Sequence, residues 1–249
     1  MIIIEYTRCM GDLRTKEELY VAFAEVGKAL SNGKRIEILD VLSQGERSVE
    51  VLSERIGTSI TTTSAHLQIM RRCGLVATRR EGTHIFYSLS GPDVISFLES
   101  FRTMAKSHNE RIQPALERYL GRVEDITLSQ GELAKEIGSG KFVILDVRPP
   151  EEYLSGHIPG AISIPLEQLS EEVEAIVATV ARIDGNSMER IGTSEEVQVV
   201  VYCRGPYCSF AISALEVLKS HHLAAVRLSD GFTQWRLAGR EVEVGAGIS

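Results

Sequence analysis

The tract Val199-Val200-Val201-Tyr202, followed without a break by Cys203-Arg204-Gly205-Pro206-Tyr207-Cys208, constrains this chain more than any other part of it. Three valines and a tyrosine in succession suit a strand buried on both faces, the habit of parallel sheets covered by helices on each side. Phe142 to Leu145 is a second such run. Ala211 to Leu218 reads as a helix, and Ala225 to Leu228 as a short strand after it. Strands and helices alternating in this way predict an α/β domain with a central parallel sheet. A helix from Ser129 to Ile137 and a turn at Gly138-Ser139-Gly140 precede the first run.

The first half of the chain is patterned differently. Leu19, Val21, Phe23, Val26 and Leu30 recur at near-helical spacing up to a stop at Ser31-Asn32-Gly33, and Ile36, Leu39 and Leu42 stripe a second helix. Val49, Leu52 and Ile56 mark a short third helix ending at Gly57. A fourth follows the capping hydroxyls of Thr58-Ser59 and runs to Arg72, with Gly74 as its stop. Two short helices joined this tightly form a helix-turn-helix. Leu75 to Arg79 and Thr83 to Leu89 then predict a hairpin turning at Glu81-Gly82, a wing. Gly91-Pro92 opens a long helical segment through Phe97, Leu98, Phe101 and Met104 toward Leu116 and Tyr119, with Pro114 expected to kink or break it. The change of pattern sets three regions: a mainly α winged helix-turn-helix domain over residues 1–120, a linker over 121–126, and the α/β domain over 127–249.

Nothing in the 249 residues approaches the roughly 20 apolar residues of a membrane span, and Met1 to Glu5 lacks the basic start of a secretory signal, so a cytoplasmic protein is expected. The four cysteines, Cys9, Cys73, Cys203 and Cys208, are too few for a disulfide framework and not spaced as a zinc site, so reactive or buried thiols are expected, with no metal and no cofactor. The net charge of −7 is unevenly shared. Residues 1–120 carry 16 Lys and Arg against 15 Asp and Glu, whereas residues 121–249 carry 11 against 19. The acidity of the second half leaves the first free to bind nucleic acid through local patches.

On a helical wheel of the fourth helix, Ile60, Thr63, Leu67 and Met70 share an inner face, leaving Thr61, Thr62, Ala65, Gln68 and Ile69 outside. Hydroxyls and an amide suit base edges in a major groove. Arg71 and Arg72 at the helix end, with Arg79 and Arg80 in the wing, supply charge for phosphates. A merely solvated polar helix face is the alternative.

The segments Ala29 to Leu39, Ser64 to Val76 and Arg79 to Gly82 closely resemble the ArsR/SmtB family of winged-helix regulators, over roughly residues 15–110. The resemblance implies a homodimer on double-stranded operator DNA. It implies that Thr62, Ser64, His66 and Gln68 face the operator, although the wheel leaves Ser64 and His66 at the edge of the exposed face, and that the helix from Asp93 to about Asn109 joins the first in the dimer. The chain departs from the family at its metal sites. The third helix reads Ser48-Val49-Glu50-Val51-Leu52 with no cysteine, and the last offers only Asp93 and a lone His108. A metal sensor is therefore not expected. Cys73, next to a helix-stop glycine, is expected to be a small half-buried residue.

Cys203 sits at the carboxyl end of a parallel strand, where open α/β sheets bind ligands, and a loop curling into a helix N-terminus aims several backbone N–H groups at its centre. A thiolate held there gains hydrogen bonds, so the pKa of Cys203 is expected to fall and its nucleophilicity to rise. Arg204 adds positive charge, Gly205 permits unusual dihedrals and Pro206 stiffens the loop, making Arg204, Gly205, Pro206, Tyr207, Cys208 and Ser209 an anion cradle around a catalytic Cys203. Cys208 is either a resolving thiol for Cys203 or a small residue at the helix start.

This loop, with Leu145-Asp146-Val147-Arg148, Glu151-Glu152-Tyr153 and Gly156 to Ala161 before it and Asp230-Gly231-Phe232 with Trp235 after it, resembles the rhodanese family over about residues 127–243. The resemblance implies that Cys203 takes sulfane sulfur from a small donor such as thiosulfate or a persulfide, holds it as a persulfide and passes it on. It implies an architectural pairing of Asp146 with Arg148 beneath the site, and for His157 a packing role rather than that of a base. Glu171 to Glu196 exceeds what a compact rhodanese domain needs between its elements and is expected to be a surface insertion. Three functions remain in play: a repressor whose operator affinity depends on the sulfur or redox state of Cys203, a sulfurtransferase with the winged helix as tether or autoregulator, and an oxyanion-sensing repressor. Sulfurtransferase activity through Cys203 is left open.

Overall fold

A computed structural model describes residues 13–121, 127–184 and 197–245. Most of the linker, Cys9 and the stretch from Gly185 to Glu196 therefore lie outside the described residues. The chain divides into two compact units, Met1–Phe97 and Leu98–Ser249.

In the first unit, helix α1 (Leu13–Leu30) is followed by α2 (Gly33–Leu42), α3 (Val49–Arg55) and α4 (Ile60–Arg72), and these last three have capped starts. Asn32, Ser48 and Ser59 each accept a hydrogen bond from the backbone N–H three residues on, Arg35, Val51 and Thr62, satisfying donors that a helix leaves unpaired. Ile38, Leu39, Leu52, Ile56, Leu67 and Met70 are fully buried between these helices. The wing consists of β1 (Arg47–Ser48), β2 (Val76–Glu81) and β3 (His84–Leu89), an antiparallel sheet in the order β1-β3-β2. The β2 strand runs on through Glu81 to pair with His84, so the turn is Gly82-Thr83, one residue later than the sequence predicts; Gly82 takes the left-handed conformation there at φ 59°.

The long helical segment is two helices, α5 (Pro92–His108) and α6 (Ile112–Leu120). The break falls at Asn109, not at Pro114, which sits in the first turn of α6, where its missing N–H leaves no bond unmade. The division between units falls inside α5, and its second half and α6 group with the second unit.

The second unit is built on a five-stranded parallel sheet: β4 (Thr127–Leu128), β5 (Phe142–Asp146), β6 (Ile162–Ser163), β7 (Gln198–Tyr202) and β8 (Ala225–Leu228), in the order β4-β8-β7-β5-β6. Helix α8 (Pro150–Leu154) lies between β5 and β6 in the chain. Alternation along β7 explains its unbroken apolar run. Val199, Val201 and Cys203 join one buried cluster, with α9 (Leu169–Asp184) and α10 (Phe210–Ser220), while Val200 and Tyr202 join another, with α7 (Gln130–Glu136) and α11 (Phe232–Leu237). Helix α9 corrects the expectation of a surface insertion for its stretch. Leu169, Val173, Ile176 and Val180, spaced by three and four, are buried against the sheet, so one face of this stretch is core as far as Val180.

Candidate functional site at the end of the central strand

The strand β7 delivers Cys203 into a loop that is held from outside. The N–H groups of Phe232 and Thr233, at the start of α11, donate to the carbonyls of Cys203 and Arg204 at 2.9 Å each, and Cys208 N–H closes a turn on the Gly205 carbonyl at 3.1 Å. Gly231 permits this approach. A Cβ there would lie 2.7 Å from Gly205 Cα and 2.8 Å from the Cys203 oxygen, at a φ of 82° that side chains avoid. Within the loop, the Cys203 thiol lies 3.5 Å from the Cys208 carbonyl and 3.7 Å from that of Gly205.

Only 3 % of Cys203 is exposed, and this overturns one expectation. Burial pushes its thiol well above the usual range, and its hydrogen bond to Cys208 adds to the rise; the backbone N–H groups of Ala211 and Gly205 do not offset them. The lowered thiol is that of Cys208, brought to about 7 by the hydrogen bond from Cys203, against burial and with help from the Arg204 charge. The contact between the two thiols thus raises Cys203 and lowers Cys208.

Arg204 is tied down. Its guanidinium forks onto the Glu152 carboxylate, with contacts of 2.9 and 2.6 Å, and lies 4.9 Å from the Phe210 ring centre. Glu152 is 1 % exposed, so this pair fixes the loop's first turn rather than offering a free cation to an anion. Pro206, Tyr207 and Ser209 complete the loop half-buried, and Ser209 makes no capping bond to α10. Beneath lie Asp146 and Arg148, both fully buried and 2.5 Å apart. Asp146 also accepts from the Tyr202 hydroxyl (2.6 Å) and the Arg148 backbone (3.0 Å), while Arg148 donates to the Gly156 carbonyl (2.7 Å) and faces the Phe232 ring at 4.1 Å. His157 stacks on Tyr153 and bonds its carbonyl through Nδ1, away from the cysteines. A cavity of about 820 Å³ adjoins the loop through Pro206 and Tyr207, with Lys106, Arg227 and Asp230 also in its wall.

Sequence reasoning missed Glu152 and Tyr202 as partners in this site. The glutamate was visible after Pro149-Pro150, but nothing local pairs it with an arginine 52 residues later.

In the first unit, Thr62, Gln68 and Arg71 stand exposed along α4, whereas Ser64 and His66 are half-buried. Burial, and secondarily the Arg35 charge, lower the His66 pKa. Thr62 shares a hydrogen bond with Ser59 at 2.9 Å, and Gln68 reaches the Tyr87 hydroxyl at 3.5 Å. In the wing, Arg79 is clasped by Glu46 at 2.6 Å and Glu81 at 2.7 Å, and Arg80 donates to the Gly82 carbonyl. Cys73 is half-buried, its thiol 3.7 Å from the Glu25 carbonyl. Among the described residues no cluster of His, Cys, Asp and Glu could hold a metal ion, and no helix is long and apolar enough to cross a membrane.

Two family models match the chain, the arsR family of bacterial regulatory proteins at residues 32–78 and the rhodanese-like domain at residues 129–238. The HTH-type transcriptional regulator Rv0324 of Mycobacterium tuberculosis is 38% identical over 96% of this chain and 97% of its own length. This chain belongs to the ArsR family. As an ArsR-family transcriptional regulator with a C-terminal rhodanese domain, it is also 38% identical to the HTH-type transcriptional regulator Rv0081 of M. tuberculosis, over 39% of this chain and 86% of that one. Among solved structures, the homodimeric winged helix-turn-helix DNA-binding domain of Mb0332 from Mycobacterium bovis is 45% identical, covering 39% of this regulator and 89% of that chain, with a TM-score of 0.37.

Proposed function

We propose that this regulator is a homodimeric, cytoplasmic repressor that binds double-stranded operator DNA through Thr62, Gln68, Arg71, Arg79 and Arg80, with Ser64 and His66 at the margin. Its affinity follows the sulfur state of Cys203. The observation that carries this reading is the pinned loop at the end of β7, which holds a buried Cys203 with its thiol 3.5 Å from the Cys208 carbonyl. The solvent-exposed Leu19, Tyr20 and Phe23 of α1 support a dimer, since an apolar patch of this kind asks for a cover.

In the sulfur step, Cys208 carries the pair's negative charge near neutral pH and takes the Cys203 proton as Cys203 attacks. A new S–S bond forms to the outer sulfur of thiosulfate, the donor's own S–S bond breaks, and sulfite leaves with its electron pair. An acceptor thiolate then attacks the outer sulfur of the resulting persulfide and departs as a persulfide itself, restoring the Cys203 thiolate. Arg204, Gly205, Pro206, Tyr207 and Ser209 keep the loop's shape through both steps, and Asp146 with Arg148 holds the strand ends beneath it.

Operator affinity measured by fluorescence anisotropy, for the wild type and Cys203→Ser, each reduced and after thiosulfate treatment, tests the reading. Loss of affinity in the treated wild type alone is the expected result. Thiosulfate turnover without any change in affinity would make the chain a sulfurtransferase with a DNA tether. Protection of Cys203 from alkylation by arsenate, with no persulfide formed, would make it an oxyanion sensor.

A further inference from the structure

The Cys203 loop is gripped from two sides by one face of α5. On one side the Arg102 guanidinium lies 5.3 Å from the centre of the Tyr207 ring. On the other, Gln234 of α11 rests against Gly205, its Oε1 3.1 Å from where a Cβ of that residue would stand, and its Nε2 donates to Glu99 Oε2 at 2.8 Å. Glu99 Oε1 in turn accepts from Arg102 at 2.8 Å. A closed circuit therefore runs from Gly205 through Gln234, Glu99 and Arg102 to Tyr207. Glu99 and Arg102 are only 20% and 18% exposed, so solvent screens them far less than a surface pair. The i, i+3 spacing puts both on one face of a helix that starts at Pro92, two residues beyond Ser90 and the end of the wing.

A persulfide adds a sulfur about 2 Å beyond Sγ. Cys203 is 3 % exposed and the carbonyls of its loop are pinned by α11, so a sulfur added there presses on a loop that is already held. Close-packed interiors pass on such a displacement instead of absorbing it. Gly205 and Tyr207, the two ends of the circuit, are where the loop meets side chains linked to α5, as Arg204 is where it meets Glu152.

We propose that Glu99 and Arg102, with Gln234 and Tyr207, form the relay through which the sulfur state of Cys203 is read by α5 and so by the DNA-binding surface. This deepens the function proposed above and rests on it. The relay residues touch no reacting atom; they act by position. The feature that sets the relay apart from simple structural support is that breaking it uncouples two measurable events, persulfide formation and the change in operator affinity.

The experiment uses full-length wild type, Arg102→Met and Glu99→Gln, each reduced or treated with thiosulfate. Persulfide on Cys203 is counted by mass spectrometry, and operator affinity is read by anisotropy on the same samples. The wild type is expected to form the persulfide and lose affinity by about tenfold, within the range usual for coupled sites. Both variants are expected to form the persulfide to the same extent, with their two states differing by less than about twofold in affinity. Glu99→Gln, which keeps an acceptor for Gln234, is expected to retain more of the response than Arg102→Met. Variants that respond like the wild type overturn the relay and leave the sensor standing. Variants that form no persulfide also overturn it, since the residues would then serve the loop's own shape. A wild type that forms the persulfide without losing affinity overturns the sensor and the relay together, and one that forms none overturns Cys203 as the sulfur carrier.

Discussion

Arg79 in the wing and Arg148 beneath the Cys203 loop are both held by carboxylates, but the two clasps do different work. Arg79 meets Glu46 and Glu81 with its side chain 53% exposed, and water competes for every contact. Arg148 meets Asp146 with neither side chain exposed at all, and the tyrosine hydroxyl and glycine carbonyl around them are shared within the same network. An exposed pair contributes little to folding and exchanges partners readily, as the phosphate contact proposed for Arg79 requires. A buried pair is strongly destabilising to break, because the partner left behind keeps a charge with no solvent around it. The Arg79 clasp is therefore open to exchange, and the Arg148 clasp holds shape.

The largest effect should come from breaking the buried pair. Asp146→Ala strands the Arg148 guanidinium and removes the acceptor of Tyr202, and is expected to cost about 3–5 kcal/mol, the usual penalty for an orphaned buried charge. Urea unfolding followed by the fluorescence of Trp235, the chain's one tryptophan and a buried one, measures it. Replacing both partners with apolar residues, Asp146→Leu with Arg148→Met, should cost less than Asp146→Ala alone. If the double variant is the less stable, the network's worth lies in its hydrogen bonds to Tyr202 and Gly156, and the contrast with Arg79 rests on the wrong term.

The next effect is smaller and concerns the two cysteines. In the wild type, alkylation near pH 7 should fall first on Cys208, rising with pH through about 7, while Cys203, held well above the usual range, should react only at higher pH. Cys208→Ser removes the neighbouring thiol whose hydrogen bond and charge add to burial in raising Cys203. The rise of Cys203 alkylation should therefore move down in pH, with burial still opposing it. Each unit of downward movement raises the thiolate fraction at pH 7 by about tenfold, and the rate at that pH with it. An unchanged profile would mean that Cys203 ionises without its neighbour, and that Cys208 is only a small residue at the start of α10.

How much of this was legible in the sequence follows the same division between local and distant causes. The run from Val199 to Tyr202 announced its strand because both of its faces are buried, and Ser59 and Ser129 announced helix starts because capping is settled within three residues. The turn from Cys203 to Cys208 into the start of α10 was legible for the same reason. The burial of Cys203 was not legible, because it comes from elements elsewhere in the chain, and with it the sense of the pKa shift was misjudged. Glu152 with Arg204, and Glu99 with Gln234 across 135 residues, are pairings that only the folded topology creates. Helix α9 lay between these cases. The spacing of Leu169, Val173, Ile176 and Val180 was present throughout, but the length of the segment relative to a compact rhodanese domain drew the reading toward an insertion.

The smallest expected effect sharpens the comparison from the exposed side. If Arg79 leaves Glu46 and Glu81 for a phosphate when the operator binds, Arg79→Gln should weaken binding about equally across DNA sequences and reduce the slope of log affinity against log salt by about 1. Glu46→Gln should act in the opposite sense on affinity, because it removes the strongest competitor for the same guanidinium while leaving Glu81 and the Phe86 ring, 5.0 Å away, to hold it in place. Titrations of the two variants at several salt concentrations separate the cases. A slope unchanged in Arg79→Gln would show that the wing keeps its carboxylates in the complex. Phosphate contact would then fall to Arg71 and Arg80, and the exposed clasp of Arg79 would serve shape just as the buried one does.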